Sequence, residues 1–99
     1  MARIAVDAYV LDTLMRDLVA HDKKPSAFLV FLHLWRKTGG GRLKGVPASL
    51  QSVAQSTGLS KSAVQAGVKI LVRRKLIRTV RASPTGVPHY DVKRPWGGG

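Results

Sequence analysis

The chain has 99 residues, 44% of them hydrophobic, with 17 Lys+Arg against 5 Asp+Glu and a formal net charge of +12. Such a length and apolar content suit one small globular domain with a single core, and they exclude a chain disordered by composition. With no cysteine there is no disulfide framework, thiolate metal site or cysteine nucleophile. No apolar run approaches a membrane span and MARIAVD has no signal-peptide core, so a soluble, cytoplasmic protein is expected.

In chain order, the first predicted element is a helix over 7–21. Asp7 is its expected N-cap, because a carboxylate there accepts from the free amides of the first turn. Val10, Leu11, Leu14, Met15, Leu18 and Val19 recur at helical spacing as one apolar stripe. HDKKP ends it, since the residue before Pro25 is pushed out of helical geometry. Pro25 or Ser26 opens the second helix, AFLVFLHLWRKT, which is apolar on nearly every face. A helix of that kind is buried on more than one side, at the centre of the domain or against another copy. The GGGR run from Gly39 reads as a flexible loop, and LKGVP as one short strand. Neither this run nor the GGG at 97–99, which reads as a flexible tail, is a P-loop, because no helix bearing the required lysine and Ser/Thr follows.

The segment SLQSVAQSTGLSKSAVQAGVKILVRRKLIRTVR, residues 49–81, holds the densest pattern. Ser49 is placed to cap a short helix over 50–56, with Val53 and Ala54 facing inward. Gly58 can take the left-handed conformation that ends it, and Leu59 returns to the core. Ser60 then caps a second helix reaching Arg74 or Lys75, with Val64, Val68, Leu71 and Val72 inward. Ala54 and Gly67 are the small residues expected to let these two helices approach. Two helices joined by a tight glycine turn make a helix-turn-helix unit. Beyond it, IRTVR alternates as a half-buried strand does, Ser83-Pro84-Thr85-Gly86 carries turn chemistry, and VPHYDVK returns with Val87, Tyr90 and Val92 as strand-type residues. Pro88 requires either an edge position or a strand that starts after it.

The pattern Leu50-x-x-Val53-Ala54-x-x-x-Gly58-Leu59-Ser60-x-x-x-Val64, followed by Leu71 and Leu76-Ile77, resembles the winged helix-turn-helix of bacterial DNA-binding proteins. It is similar to the domains common in phage and plasmid replication proteins and in small transcription regulators. SAFLVFLHLWRKT is similar to the first helix of that group, so the resemblance covers roughly residues 10 to 93. There are two departures. Gly67 stands where alanine is usual, at a helix-propensity cost of about 1 kcal/mol, and Lys75 replaces a frequent glycine, leaving the helix end less sharply defined. The implied fold is mainly α with a small β-hairpin: four helices and a two- or three-stranded wing sheet, in one domain over 1–96.

Charge selects the partner class. Fifteen basic residues follow Asp22 against one acid, Asp91, a formal +14 over that part, whereas Asp7, Asp12, Asp17 and Asp22 crowd the amino end. A field of that sign collects polyanions, double-stranded DNA first among them. On the helix over 60–75, Lys61, Gln65, Lys69 and Arg73 are spaced four apart and share one face, with Ser62 beside them and an apolar face opposite. This is the geometry of a recognition helix in the major groove. Lys61, Ser62 and Gln65 are candidates for base contact, Gln65 suiting adenine and Lys61 guanine, while Lys69 and Arg73 suit the backbone. Ser49, Gln51 and Ser60, at the helix starts, suit phosphates. The resemblance implies that the wing over 77–93 reaches the adjacent minor groove or its phosphates, through Arg81, Thr85 and Arg78.

The structural reading of the same residues is blander: a solvated helix face for the Lys/Gln stripe, and core positions for Phe28, Phe31 and Trp35. His21, His33 and His89 share no metal-ligand spacing, and neither a metal nor a cofactor is expected. Catalysis is not expected either, since no serine has a recognisable base partner and the acids are few and clustered. A homodimer through residues 7–35 is expected, since two-fold assemblies read inverted repeats. Transcription regulation in the nucleoid is the leading role. The alternatives are plasmid or phage replication, partition, DNA architecture, or a winged helix turned to RNA or protein.

Overall fold

A computed structural model describes residues 2–81 and 86–97. Its described residues form four helices and one three-stranded antiparallel sheet, the α+β class expected. Helix α1 runs over 8–21, α2 is Pro25–Lys37, α3 is Leu50–Thr57 and α4 is Lys61–Arg73. Strands β1 (Val46–Pro47), β2 (Ile77–Val80) and β3 (His89–Val92) order as β1-β3-β2. Among the described residues no helix is long and apolar enough to cross a membrane.

α1 departs from expectation in its winding. It carries two π-helical stretches, Val10–Leu14 and Asp17–His21, in which Met15 N donates to Val10 O and Asp22 N to Asp17 O. These i→i−5 turns align Val10, Leu14 and Leu18 as one buried row. The stripe therefore splits, because Leu11, Met15 and Val19 stay 49%, 39% and 39% exposed. Asp7 does not use its carboxylate as the expected cap. Its Oδ2 instead accepts from Trp96 Nε1 at 3.1 Å and faces Arg94 Nη1 at 3.5 Å. The acids crowded at the amino end have a structural use: Asp17 and Asp22 both meet Arg74, at 3.7 and 3.2 Å.

Pro25 sits in the first turn of α2, behind a non-helical Lys24. Ala27, Phe28, Val30, Phe31, Leu34 and Trp35 are all buried, and α2 packs on α4, α3, α1 and β3, so this helix is central. Trp96 crosses back to join it, stacking on Tyr9 at 4.8 Å and on Trp35 at 6.3 Å between ring centroids. The glycine run after α2 is a defined turn rather than a loose loop. Thr38 is fully buried, donating to Leu34 O and accepting from Gly41 N. All three glycines have positive φ, and a Cβ at Gly41 would lie 2.9 Å from Val92 O.

β3 starts after Pro88, which answers the alternative raised by that proline, and it is the central strand. Ile77 faces Val92 and Thr79 faces Tyr90 across the β2–β3 ladder. Val87 lies outside the strand and is 48% exposed. The turn residues Ser83, Pro84 and Thr85, and Gly98 and Gly99 of the tail, lie outside the described residues.

Candidate nucleic-acid interface

Local chemistry fixes the corner between α3 and α4. Ser49 Oγ accepts from Ser52 N at 3.0 Å and Ser60 Oγ from Ala63 N at 3.1 Å, so both serines cap their helices as expected. Each hydroxyl keeps a proton to donate elsewhere; the Ser60 and Ser62 oxygens lie 3.2 Å apart. Gly58 ends α3 at φ 79°, its amide donating to Ala54 O. Thr57 adds a stitch that the sequence reading missed: its hydroxyl donates to Val53 O at 2.7 Å and accepts from Leu59 N.

α4 divides cleanly into two faces. Val64, Gly67, Ile70 and Leu71 are buried, while Lys61, Ser62, Gln65, Lys69 and Arg73 are exposed, as is Gln51 on α3. Val72, expected inward, is 40% exposed, and Ile70 takes the buried position instead. Gly67 does bring helices together, but its tight partner is α2: a Cβ there would lie 3.1 Å from Ala27 Cα. The carboxyl end is also sharper than expected. Lys75 takes φ 60°, Leu76 N donates to Leu71 O and Lys75 N to Val72 O, which together form a Schellman cap with lysine in the glycine position.

The exposed face of α4 runs into a groove of about 190 Å³ against the sheet. Gln65 and Lys69 from α4 meet Thr79, Arg81, Pro88 and Tyr90 there. Three of the expected contact residues, Gln65, Lys69 and Arg81, thus line one concavity. Arg78 does not join them, because strand alternation puts it on the opposite face of β2 from Thr79 and Arg81, with Asp91 as its register partner. Thr85 lies outside the described residues. Thr79 and Tyr90 were missed, although Thr79 is two residues from Arg81 and so shares its face. Burial raises the Tyr90 phenol above its ordinary pKa, against the pull of the Arg81 guanidinium. The phenol is therefore protonated at neutral pH and able to donate.

His33 lies elsewhere, on α2, with burial and then Lys37 holding its pKa below the ordinary value. Among the described residues no group of His, Cys, Asp or Glu could hold a metal ion. The groove thus presents two cations, an amide and two hydroxyls beside the apolar Leu50, Val68 and Pro88. Compared with known proteins, the chain matches no family model, no curated protein and no solved structure.

Proposed function

We propose that this chain binds double-stranded DNA in the manner of a winged helix-turn-helix, as a transcription regulator. The observation that carries the reading is the exposed row Lys61, Gln65, Lys69 and Arg73 on a helix whose other face is buried, continuing through the groove to Arg81. α4 enters the major groove amino end first, with Lys61, Ser62 and Gln65 at base edges. Lys69 and Arg73 hold the backbone. The β2–β3 hairpin lies against the adjacent minor groove or its phosphates through Arg81, and the capped starts of α3 and α4 meet phosphate through Ser49, Gln51 and Ser60.

Filter binding to duplex DNA, single strands and duplex RNA at two salt concentrations tests it. Duplex DNA should bind best, and its affinity should fall by orders of magnitude from low to moderate salt. Gln65→Ala should cost about 1–3 kcal/mol and relax preference at one base pair, whereas Lys69→Ala should weaken all sequences alike. Affinity indifferent to salt removes the reading.

The same reading includes a two-fold dimer through residues 7–35. It is supported by Leu11, Met15, Val19 and Leu29, four large apolar side chains left exposed on α1 and α2. Sedimentation at micromolar concentration should give a mass of two chains, and Met15→Glu should return it to one.

A further inference from the structure

A larger basic concavity than the one beside α4 lies elsewhere on the described residues. A cavity of about 570 Å³ is lined by Arg42, Lys44, Lys75, Lys93 and Arg94, with no carboxylate in its wall. A second, of about 500 Å³, shares Gly40, Arg42 and Arg94 with it and adds Arg3 and Arg36, with Asp7 as its single acid. The two make one continuous belt of seven cations drawn from five separate stretches of chain. The belt lies at the Ile77/Val92 end of the β2–β3 ladder, and the α4 groove lies at the Val80/His89 end. The two cavities beside Arg42 share no lining residue with that groove.

Two features of the backbone assemble the belt. Gly41 packs so tightly on Val92 O that Arg42 and Lys44 are carried alongside Lys93 and Arg94. Lys75 holds a left-handed conformation that costs a lysine more than a glycine, and its side chain lines the cavity. Asp7 answers Arg94 at 3.5 Å, and the remaining excess of positive charge favours an entering anion. The wall of the first cavity holds no aromatic, and Trp35 in the second is buried with its Nε1 donating to Ala5 O, so neither offers a ring face to stack a base. An extended run of cations without such a platform fits a chain of phosphates read by charge alone.

We propose that this belt binds the phosphate backbone of a nucleic-acid duplex by charge, at a site separate from the α4 groove. The proposal goes beyond the α4 reading and does not require it. The test uses the full chain with its α4 face neutralised (Lys61→Ala, Gln65→Ala, Lys69→Ala, Arg73→Ala), labelled with ¹⁵N and titrated with a short duplex of random sequence. Amide shifts should saturate and centre on Gly40–Lys44, Lys75 and Lys93–Arg94. Adding Lys75→Gly, which suits the backbone and keeps the fold, should lower duplex affinity on the order of fivefold at 0.1 M salt and reduce the salt slope by about 1. Loss of duplex binding once the α4 face is neutralised overturns the proposal, as does a Lys75→Gly chain that is stabler but binds equally well. Inorganic tripolyphosphate forms the second arm. Shifts at these amides with tripolyphosphate but none with duplex assign the site to a free anion, and so overturn the nucleic-acid source. Duplex binding that survives neutralising α4, in a chain whose unsubstituted form shows no base preference, sinks the α4 reading and leaves this one standing.

Discussion

α3 and α4 run out through the same backbone conformation on different residues. Gly58 ends α3, just ahead of α4, at φ 79° and Lys75 follows the carboxyl end of α4 at φ 60°. A Cβ at Gly58 would meet nothing within 4 Å, so that glycine is required by the dihedral alone. At Lys75 the dihedral is just as demanding, yet a side chain is kept, and it lines the basic belt. Its neighbours sharpen the contrast. Arg73 is exposed on the α4 face, and Arg74 meets Asp17 and Asp22 on α1. Three consecutive cations thus serve an exposed helix face, an internal clamp and the second basic surface. The lesson is that position in the cap, and not charge, decides what each can do.

Gly67, between these ends, is a glycine kept for space rather than for its dihedral. Gly67→Ala improves helix propensity by about 1 kcal/mol, but the new methyl lies 3.1 Å from Ala27 Cα, a backbone atom that cannot turn aside. Overpacking costs about 1–3 kcal/mol, so the variant should show a net loss of up to about 2 kcal/mol in a denaturant titration. A stabilised Gly67→Ala would mean that α2 and α4 can part without loss. Next in size, Gly58→Ala should cost about 1 kcal/mol, from the left-handed penalty alone. Lys75→Gly should do the reverse and gain about 0.5 to 1 kcal/mol. Equal and opposite shifts at the two ends would show that both caps are governed by the dihedral. A Lys75→Gly chain no stabler than the parent would mean that the lysine side chain contributes as much to the fold as its backbone strain removes.

Much of this architecture was legible because capping chemistry is local. Ser49, Gly58, Ser60 and Pro25 each fix an element boundary within a few residues of themselves, and each stands where the sequence placed it. What stayed hidden depends on distant partners. Asp7 reads as a cap until Trp96, 89 residues away, takes its carboxylate. The six-residue stripe on α1 splits because a wider winding, invisible in an apolar pattern, selects every fourth residue. The row on α4 is periodic in sequence, but Thr79 and Tyr90 join it only through the sheet register. The basic belt has no sequence signature at all, since chain folding alone gathers Arg3, Arg36, Arg42, Lys44, Lys75, Lys93 and Arg94.

The smallest expected effect concerns α2, which packs on α4. His33 Nε2 is buried without a hydrogen-bond partner, and burial together with Lys37 lowers the folded pKa of this histidine. Between the folded and unfolded pKa values the unfolded chain binds more protons, so stability rises with pH across that window. This contribution is complete above about pH 6.5 and is lost as pH falls through the depressed folded value. Denaturation midpoints of the parent and of His33→Gln should therefore converge or cross as pH is lowered, with the parent falling faster below about pH 6.5. Because α2 packs on α4, the acid loss in the parent should appear equally at the Gly58 and Lys75 ends by hydrogen exchange. Protection lost at one end only would mean that the two caps open independently of the helix beneath them.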